Sequence, residues 1–205
     1  MSIAMSSTAG LELTRRGHDW NFTLPTLRIG HTKLQRWTLD AAVIGQNDRV
    51  LNLGYQSSGL LRPIMRLTEG QVTAVDCSAE AANTVRRLNR AAVESGRLRV
   101  YTATIGMLPF RSRDFDVVTA LNAVTRWPDL ATGLRETRRV LRKGGRLVIV
   151  NELASQADAE HKGKTPTYRV PDADELIAVC QRLGFRRVTA ERHKTKHWLR
   201  VIATD

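Results

Sequence analysis

The sequence predicts an α/β protein with a doubly wound, mainly parallel seven-stranded sheet that ends in an antiparallel hairpin. Short apolar runs alternate with amphipathic helical stretches, which is typical of parallel strands joined by helical crossovers. The first central run leads into a glycine turn, GYQSSG, at residues 54–59. Two final strand-like runs, FRRVTAE and HWLRVIAT, are separated only by RHKTK. Because this connection is too short for a helical crossover, the two runs should pair as an antiparallel hairpin.

The strands and the first helix follow from local patterns. Apolar residues recur at helical spacing from His31 to Ile44 and predict a helix. The runs RVLNLG and QVTAVD suit strands that are buried on both faces. The third, fourth and fifth strands are predicted in RLRVYTA, FDVVTAL and GGRLVIVNE.

The helices between the strands have recognisable boundaries. Pro63 belongs in the first turn of the helix after the first strand, and Ser78 caps the next helix. Pro128 opens a helix after the fourth strand, and Gly184 ends the last helix, DADELIAVCQRL. The inner faces are predicted to be Ala81, Val85, Leu88 and Ala92 in the helix after Ser78, and Leu130, Leu134, Thr137 and Leu141 in the helix after Pro128.

The bulk composition fits one compact domain of intracellular type. A chain of 205 residues is long enough to bury a full core, and we expect one domain over residues 31–205 after a partly ordered lead-in over residues 1–30. Cys77 and Cys180 match no metal-ligand spacing, so we predict no metal site and a reducing, cytoplasmic location. We find no signal peptide pattern and no run of the ~20 apolar residues that a membrane span needs.

The net charge of +12 leaves several partners open. A basic surface attracts nucleic acid, acidic lipid or anionic substrates without distinguishing between them, and it is also compatible with ordinary solvated faces. Only 5% of residues are aromatic, and none interleave with the basic runs as a nucleic-acid stacking platform would require. Nucleic acid therefore remains an alternative partner that the sequence does not favour.

The glycine turn indicates which ligand class the crevice suits. Its spacing resembles the dinucleotide fingerprint G-x-G-x-x-G, but Gln56 replaces the middle glycine. In the fingerprint that glycine allows the backbone to approach a pyrophosphate closely. This change disfavours NAD or FAD, and with them an oxidoreductase. Asp76 ends the second strand and can accept the hydroxyl hydrogens of a ribose, or it can cap the following helix.

These segments together resemble the class I S-adenosylmethionine-dependent methyltransferases, of the type 11-like small-molecule group. The resemblance rests on RVLNLGYQSSG, VTAVDCS, LPFRSRDFDVVTALNAVTRWPDL and RRVLRKGGRLVIVNE, and it continues through LIAVCQRLGFRRV and KHWLRVIA. It implies a Rossmann-like methyltransferase fold, S-adenosyl-L-methionine as cofactor and a small-molecule acceptor.

The resemblance also implies site residues. Gly54 matches the glycine beside the methionine portion, Asp76 the ribose ligand, Cys77 the neighbour of the adenine, and Asn122 a position near the methionine end. The full implied cofactor-binding set is Gly54, Tyr55, Gln56, Asp76, Cys77, Thr104 and Asn122.

Three departures from the family pattern leave another alternative open. Asn52 stands in place of an acidic residue, Gln56 and Ser58 replace two loop glycines, and Thr104 replaces an aspartate that meets the adenine amino group. A degenerate cofactor-binding or scaffold protein without turnover is therefore an alternative, as is a nucleic-acid-directed methyltransferase.

Methyl transfer needs no metal and no catalytic triad, because the electrophile is already activated and the protein mainly orients the acceptor. The acceptor pocket is predicted above the strand ends, between the first helix and the segment 151–170, which we expect to act as a lid. Candidate catalytic residues are Glu152, His31 and Tyr168, and Asn151 is a further polar residue of this region.

Overall fold

The protein is described by a computed structural model for residues 33–54, 59–153 and 170–205. These residues form one seven-stranded sheet with helices packed on both faces. The strands are β1 Val50–Leu53, β2 Val72–Asp76, β3 Leu98–Thr102, β4 Phe115–Leu121, β5 Leu141–Glu152, β6 Arg187–Arg192 and β7 Trp198–Thr204. The helices are α1 Lys33–Ala42, α2 Leu61–Leu67, α3 Ala79–Leu88, α4 Arg90–Glu94, α5 Leu130–Val140 and α6 Ala173–Arg182, with a 3-10 turn at Val124–Arg126.

The strand order confirms the predicted fold class. The sheet runs β3-β2-β1-β4-β5-β7-β6. The first five strands in this order are parallel, whereas β7 lies antiparallel to both β5 and β6. The two final runs therefore form the predicted hairpin, and its second strand is the one that joins the rest of the sheet.

The core lies in two layers, one on each face of the sheet. Alternate residues of β1 point to opposite faces, so that Val50 joins the layer beneath α1, α2 and α3 while Leu51 joins the layer beneath α5 and α6. In β5, Val148 and Ile149 divide in the same way. Burial on both faces explains why these strands read as continuous apolar runs in the sequence.

The prediction that Leu141 lies on the inner face of α5 is wrong. The helix ends at Val140, and Leu141 has an extended backbone that begins β5 and pairs with Phe115. Strand β5 thus begins three residues before the predicted run GGRLVIVNE, and its first part is irregular, since Gly144 has φ +75° and the register shifts. A glycine supplies this left-handed backbone without the steric cost that a β-carbon would add.

The inner face expected after Ser78 is also partly wrong. Ser78 does cap α3, since its side chain accepts a hydrogen bond from the Ala81 amide. The helix ends at Leu88, which is 40% exposed, and a separate short helix follows. The break lies at Asn89, whose side-chain amide donates to the carbonyl of Val85 and competes with the helical pattern.

The end of α1 and the start of α5 differ slightly from the predictions. Helix α1 begins within the described residues at Lys33 and ends before Val43, which has φ +43°. The cap of α5 is Asp129 rather than Pro128, because the Asp129 carboxylate accepts the amide hydrogen of Thr132 at 2.7 Å. The predicted division at residue 30 stays a prediction, since residues 1–32 lie outside the described part.

The described ranges lack two kinds of feature, a membrane-spanning helix and a cluster of metal-binding side chains. No helix among residues 33–54, 59–153 and 170–205 is long and apolar enough to cross a bilayer. The same ranges contain no group of three histidine, cysteine or acidic side chains that could hold a metal ion.

Candidate functional site

The carboxyl ends of β2, β1 and β4 lie side by side at one edge of the sheet, because β1 has the other two as its neighbours. The strand order reverses at β1 and β4, and ligands of open α/β sheets bind in the crevice outside such a reversal. The loops that leave these three strands therefore border the candidate site.

Gly54 allows the first loop to pass close to the loop that follows β4. Its φ is +70°, and its amide donates to the carbonyl of Val75 at 2.8 Å. A β-carbon at this position would lie 2.8 Å from the β-carbon of Ala123, which is closer than real side chains approach. The described part resumes at Gly59, where φ is +57° and a β-carbon would meet the side chain of Gln35 in α1. The two ends of this turn thus depend on glycine.

Asp76 is the last residue of β2, and one of its two carboxylate oxygens already accepts hydrogen bonds from neighbouring residues. Oδ1 accepts the amide hydrogen of Ser78 at 3.1 Å and lies 3.6 Å from Sγ of Cys77. Oδ2 accepts no hydrogen bond from the described residues. Asp76 is therefore not the helix cap, which is Ser78, and its second oxygen is available to a ligand.

Cys77 and Thr104 flank Asp76. Partial burial, and then the neighbouring Asp76 carboxylate, raise the pKa of the Cys77 thiol, against a smaller lowering by Arg126. Cys77 is therefore a protonated thiol at neutral pH rather than a nucleophile. Thr104 is exposed, and the segment it occupies is tied to β2 because the Ala103 amide donates to the carbonyl of Asp76 at 3.0 Å.

Asn122 and Glu152 bind each other across the ends of β4 and β5. Asn122 has φ +51°, and its side-chain oxygen accepts the amide hydrogen of Glu152 at 2.8 Å. Its side-chain amide donates to Glu152 Oε2 at 3.1 Å. This pair fixes the Glu152 carboxylate at the strand edge while leaving the residue exposed to solvent.

Arg126 is a residue of the crevice that sequence reasoning missed. It lies in the 3-10 turn after β4, and its Nη2 atom is 3.4 Å from where a β-carbon on Gly54 would stand. This nitrogen is buried and has no hydrogen-bond partner, and Arg126 forms no ion pair with the described residues. No sequence signal separated it from the other basic residues, since the chain has 32 lysines and arginines.

Two buried asparagines also retain unused polar atoms. Asn52 stands where the family has an acidic residue, and its side-chain oxygen accepts a hydrogen bond from the Thr119 hydroxyl at 2.9 Å, while Nδ2 has no partner among the described residues. Asn151, in β5, is fully buried, and neither polar atom of its side chain forms a hydrogen bond within the part of the chain that the structure describes. Buried amides of this kind are rare without a ligand or an ordered water to complete them.

Four predicted site residues cannot be placed. Tyr55, Gln56, His31 and Tyr168 lie outside the described residues, and so does most of the predicted lid. The described members of the predicted cofactor set do share one edge of the sheet. Gly54, Asp76, Cys77, Thr104 and Asn122 all follow or end a parallel strand at its carboxyl end.

The described residues fit an adenosyl amino acid. The free oxygen of Asp76 suits a ribose hydroxyl, and the backbone at Gly54 has no side chain to obstruct a ligand. The unpaired guanidinium nitrogen of Arg126 suits a carboxylate, because arginine and carboxylate form strong charge-assisted hydrogen bonds. An anionic group of a ligand near Gly54 would complete the hydrogen bonding of this nitrogen.

Comparisons with known proteins agree with this geometry. A family model described as a methyltransferase domain, type 11, matches residues 51–149. The uncharacterized methyltransferase YdaC of Bacillus subtilis is 24% identical over 172 residues, which cover 83% of this chain and 90% of that protein. The ubiquinone/menaquinone biosynthesis C-methyltransferase UbiE of Geotalea daltonii is 27% identical over 118 residues, which cover 57% of this chain. The chain spans about half the length of that relative, the aligned part being 50% of it.

The fold has counterparts among solved structures. A SAM-dependent methyltransferase from Aquifex aeolicus superposes with a TM-score of 0.67 at 17% identity, over 82% of this chain and 88% of that one. A likeness at this identity supports the fold alone. The family match identifies residues 51–149 as a methyltransferase domain of type 11, and the strand order is that of the Rossmann-like methyltransferase fold.

Proposed function

We propose that the protein transfers a methyl group from S-adenosyl-L-methionine to a small-molecule acceptor. The observation that carries this proposal is the convergence of Gly54, Asp76 and Arg126 on one crevice, where the two charged groups keep unused hydrogen-bonding capacity. The names of the relatives support the same reaction, since both are methyltransferases and one acts in quinone biosynthesis.

Each of these residues has a role in holding the cofactor. Asp76 accepts the ribose hydroxyl hydrogens through Oδ2, while Oδ1 remains with the start of α3. Arg126 donates to the carboxylate of the methionine portion. Gly54 lets the chain turn beneath that portion, because its positive φ and its contact with Ala123 exclude a side chain.

Methyl transfer requires few protein groups beyond those that bind and orient the two reactants. Bound S-adenosylmethionine supplies an activated methyl group, which an acceptor atom takes by in-line displacement while the electron pair of the broken carbon–sulfur bond stays on sulfur. The residues of the site bind, orient and exclude water. A base is needed only for an acceptor that must lose a proton, and Glu152, held by Asn122, is the described carboxylate nearest the end of β5.

One alternative function is favoured by a specific observation. Asn52 is buried, bonded to Thr119 and uncharged, so the crevice lacks the acidic residue that the family has before its glycine. This loss favours an alternative function, in which the protein binds the cofactor weakly or not at all and acts as a scaffold. Binding of the demethylated product separates the two functions.

The proposal is tested by calorimetric titration with S-adenosylhomocysteine. We expect wild-type protein to bind it and Asp76→Asn to bind it at least about tenfold more weakly, because a hydrogen bond to a charged group is worth about 1.5–3 kcal/mol. The substitution keeps a side-chain oxygen for the Ser78 amide, so the start of α3 is retained.

Asp40→Asn is the matched control, since Asp40 is exposed in α1 and the variant loses the same charge. It should bind like wild type. No heat with the wild-type protein would reject the enzyme assignment in favour of the scaffold. Equal affinity of the wild type and Asp76→Asn would instead reject Asp76 as the ribose ligand.

A cytoplasmic location remains a prediction.

A further inference from the structure

A pocket of about 330 Å³ lies at the β6–β7 turn, away from the crevice at Gly54. Its walls are Leu153 and residues 192–198. This volume falls at the small end of the range for ligand pockets, about 300–1,000 Å³. The pocket is therefore of a size for a small chemical group.

The turn occupies the edge of the sheet where the parallel strands end. Strand β7 runs antiparallel to β5, so that Trp198 pairs with Glu152. The amide of Leu153 donates to the carbonyl of His197 at 2.6 Å and fixes the turn against the end of β5. The pocket thus shares the carboxyl edge with the cofactor crevice, on the far side of the Asn122–Glu152 pair.

The turn carries fixed positive charge that no described carboxylate neutralises. Arg192, Lys194 and Lys196 are exposed, line the pocket and form no ion pair with the described residues. The adjacent acidic residue, Glu191, is bound by Arg200. The cations of the turn are therefore available to an anion in the pocket.

Aromatic packing holds the turn in place. The ring of His193 lies edge-on to Trp37 and Trp198, with centroid distances of 5.4 and 4.9 Å. The guanidinium of Arg200 stacks on Trp37 at 4.4 Å from the ring centroid. His193 Nδ1 accepts the amide hydrogen of Thr195 at 3.2 Å, which ties the ring to the backbone of the turn. These contacts fix the His193 ring and the Trp198 end of the turn against α1.

We propose that this turn pocket binds an oxyanion, a carboxylate or phosphate, of the acceptor that the proposed methyltransferase methylates. The inference rests on the proposed function for the identity of that ligand as an acceptor. A concave pocket with aromatic walls favours a small anion over a nucleic acid backbone, which calls for an extended basic groove.

The strand order gives the length of such an acceptor. Neighbouring strands lie about 4.8 Å apart, so the turn beside β7 is about 10 Å across the sheet from β4 and about 14 Å from β1. The methyl group is delivered near β1 and β4. The acceptor is therefore an elongated molecule whose anionic group lies about 10–14 Å from the methylated atom.

The test is a nuclear magnetic resonance titration of the full chain saturated with S-adenosylhomocysteine, at constant ionic strength. Inorganic phosphate and acetate are the two probes, and they distinguish a phosphate from a carboxylate ligand. We expect at least one probe to shift the amide signals of residues 192–198 while S-adenosylhomocysteine stays bound. Lys194→Ala/Lys196→Ala should weaken that binding about tenfold, the effect of losing one charge-assisted hydrogen bond.

Arg87→Ala/Lys143→Ala is the matched control, because it removes two exposed cations that have no described ion-pair partner and do not line the pocket. Its affinity for the probe should equal that of wild type. Equal weakening in both double variants, no shift with either probe, or displacement of S-adenosylhomocysteine by the probe would each overturn the inference.

A duplex RNA arm completes the test. RNA that shifts the turn signals at far lower concentration than the probes, and is weakened only by Lys194→Ala/Lys196→Ala, would replace the small-molecule acceptor with a nucleic acid. Failure of S-adenosylhomocysteine itself to bind would reject the proposed function. Probe binding that fails while S-adenosylhomocysteine binds normally would reject this inference alone.

Discussion

The polar groups at the edge of the sheet where the parallel strands begin differ from those at the edge where these strands end. At the edge where the parallel strands begin, charged side chains are paired: Arg49 with Asp114, Arg142 with Asp116, and Arg138 with Asp205. At the edge where these strands end, Arg126 Nη2 and both polar side-chain atoms of Asn151 lack partners in residues 33–54, 59–153 and 170–205.

This contrast separates structural from ligand-binding groups. A buried polar atom without a partner costs about 1–3 kcal/mol, so a folded chain retains several of them at one edge only when something else completes their bonds. The paired edge is complete by itself. A ligand or an ordered water would complete the groups at the carboxyl edge, and we expect substitutions of the charged groups there to change binding more than folding.

Arg97 is the strongest test of the paired edge. Its guanidinium donates to the carbonyls of Met65, Thr68, Glu69 and Gly70, and so ties the end of α2 to the start of β3. We expect Arg97→Ala to lower the free energy of unfolding by about 2–3 kcal/mol, because hydrogen bonds to a charged group are lost together. Urea denaturation measures this loss.

The nearby Arg99 provides the control, since it is exposed in β3 and has no described partner. Arg99→Ala should unfold like wild type. Folded Arg97→Ala should keep its affinity for S-adenosylhomocysteine. A stable Arg97→Ala protein with weakened ligand binding would reverse the assigned difference between the edges.

Arg126 is the corresponding test of the carboxyl edge. Arg126→Gln should weaken S-adenosylhomocysteine binding about tenfold, or about 1.4 kcal/mol, because the carboxylate of the ligand loses its cation. Affinity for 5′-methylthioadenosine, which lacks that carboxylate, should not change. Stability should stay equal to wild type or rise, since a buried unpaired nitrogen is removed. Calorimetry with both ligands measures the difference.

Arg135→Gln removes the same charge from an exposed position in α5 and should affect neither ligand. Equal weakening of both ligands by Arg126→Gln would mean that the arginine supports the crevice without contacting the amino-acid tail.

The smallest expected effect concerns acid stability at the paired edge. The hydrogen bond from Arg139 lowers the pKa of Glu136, opposed by partial burial and helped by the Leu108 amide. Since the folded-state pKa is the lower one, this stabilisation is complete above the ordinary glutamate pKa of about 4.3 and is lost as the pH falls below it. The pair is partly exposed, so the contribution is about 0.5 kcal/mol.

Urea unfolding at neutral pH and at about pH 3.5, which is below the ordinary glutamate pKa, measures this change. Wild type should lose about 0.5 kcal/mol more than Glu136→Gln over this interval. Glu80→Gln, at an exposed residue with no described partner, should lose as much as wild type. An unchanged pH dependence in Glu136→Gln would show that solvent screens the pair completely.

Most of the fold was accessible from the sequence because strands buried on both faces appear as apolar runs. The boundary between α5 and β5 was not accessible, because Leu141 is equally suited to a helix face and a buried strand. Its placement depends on the irregular register at Gly144, which is a property of the assembled sheet.

The site was predictable where a residue type has a fixed role at a strand end. Gly54 and Asp76 are of this kind, because backbone conformation and carboxylate chemistry limit what those positions can hold. Arg126 was not predictable, since its importance comes from the approach of two loops. The Asn122–Glu152 pair likewise depends on the registers of β4 and β5, which fix these two residues at adjacent strand ends.

The position of β7 between β5 and β6 has a consequence for biosynthesis. Strand β6 is made before β7 but pairs with no other strand of the described sheet, and the outer side of β5 is also closed by β7. Until residues 198–204 have emerged from the ribosome, the nascent protein therefore exposes an open strand carrying Val148 and Val150. An unpaired apolar edge invites association with other chains, so this interval is when a chaperone would be most useful.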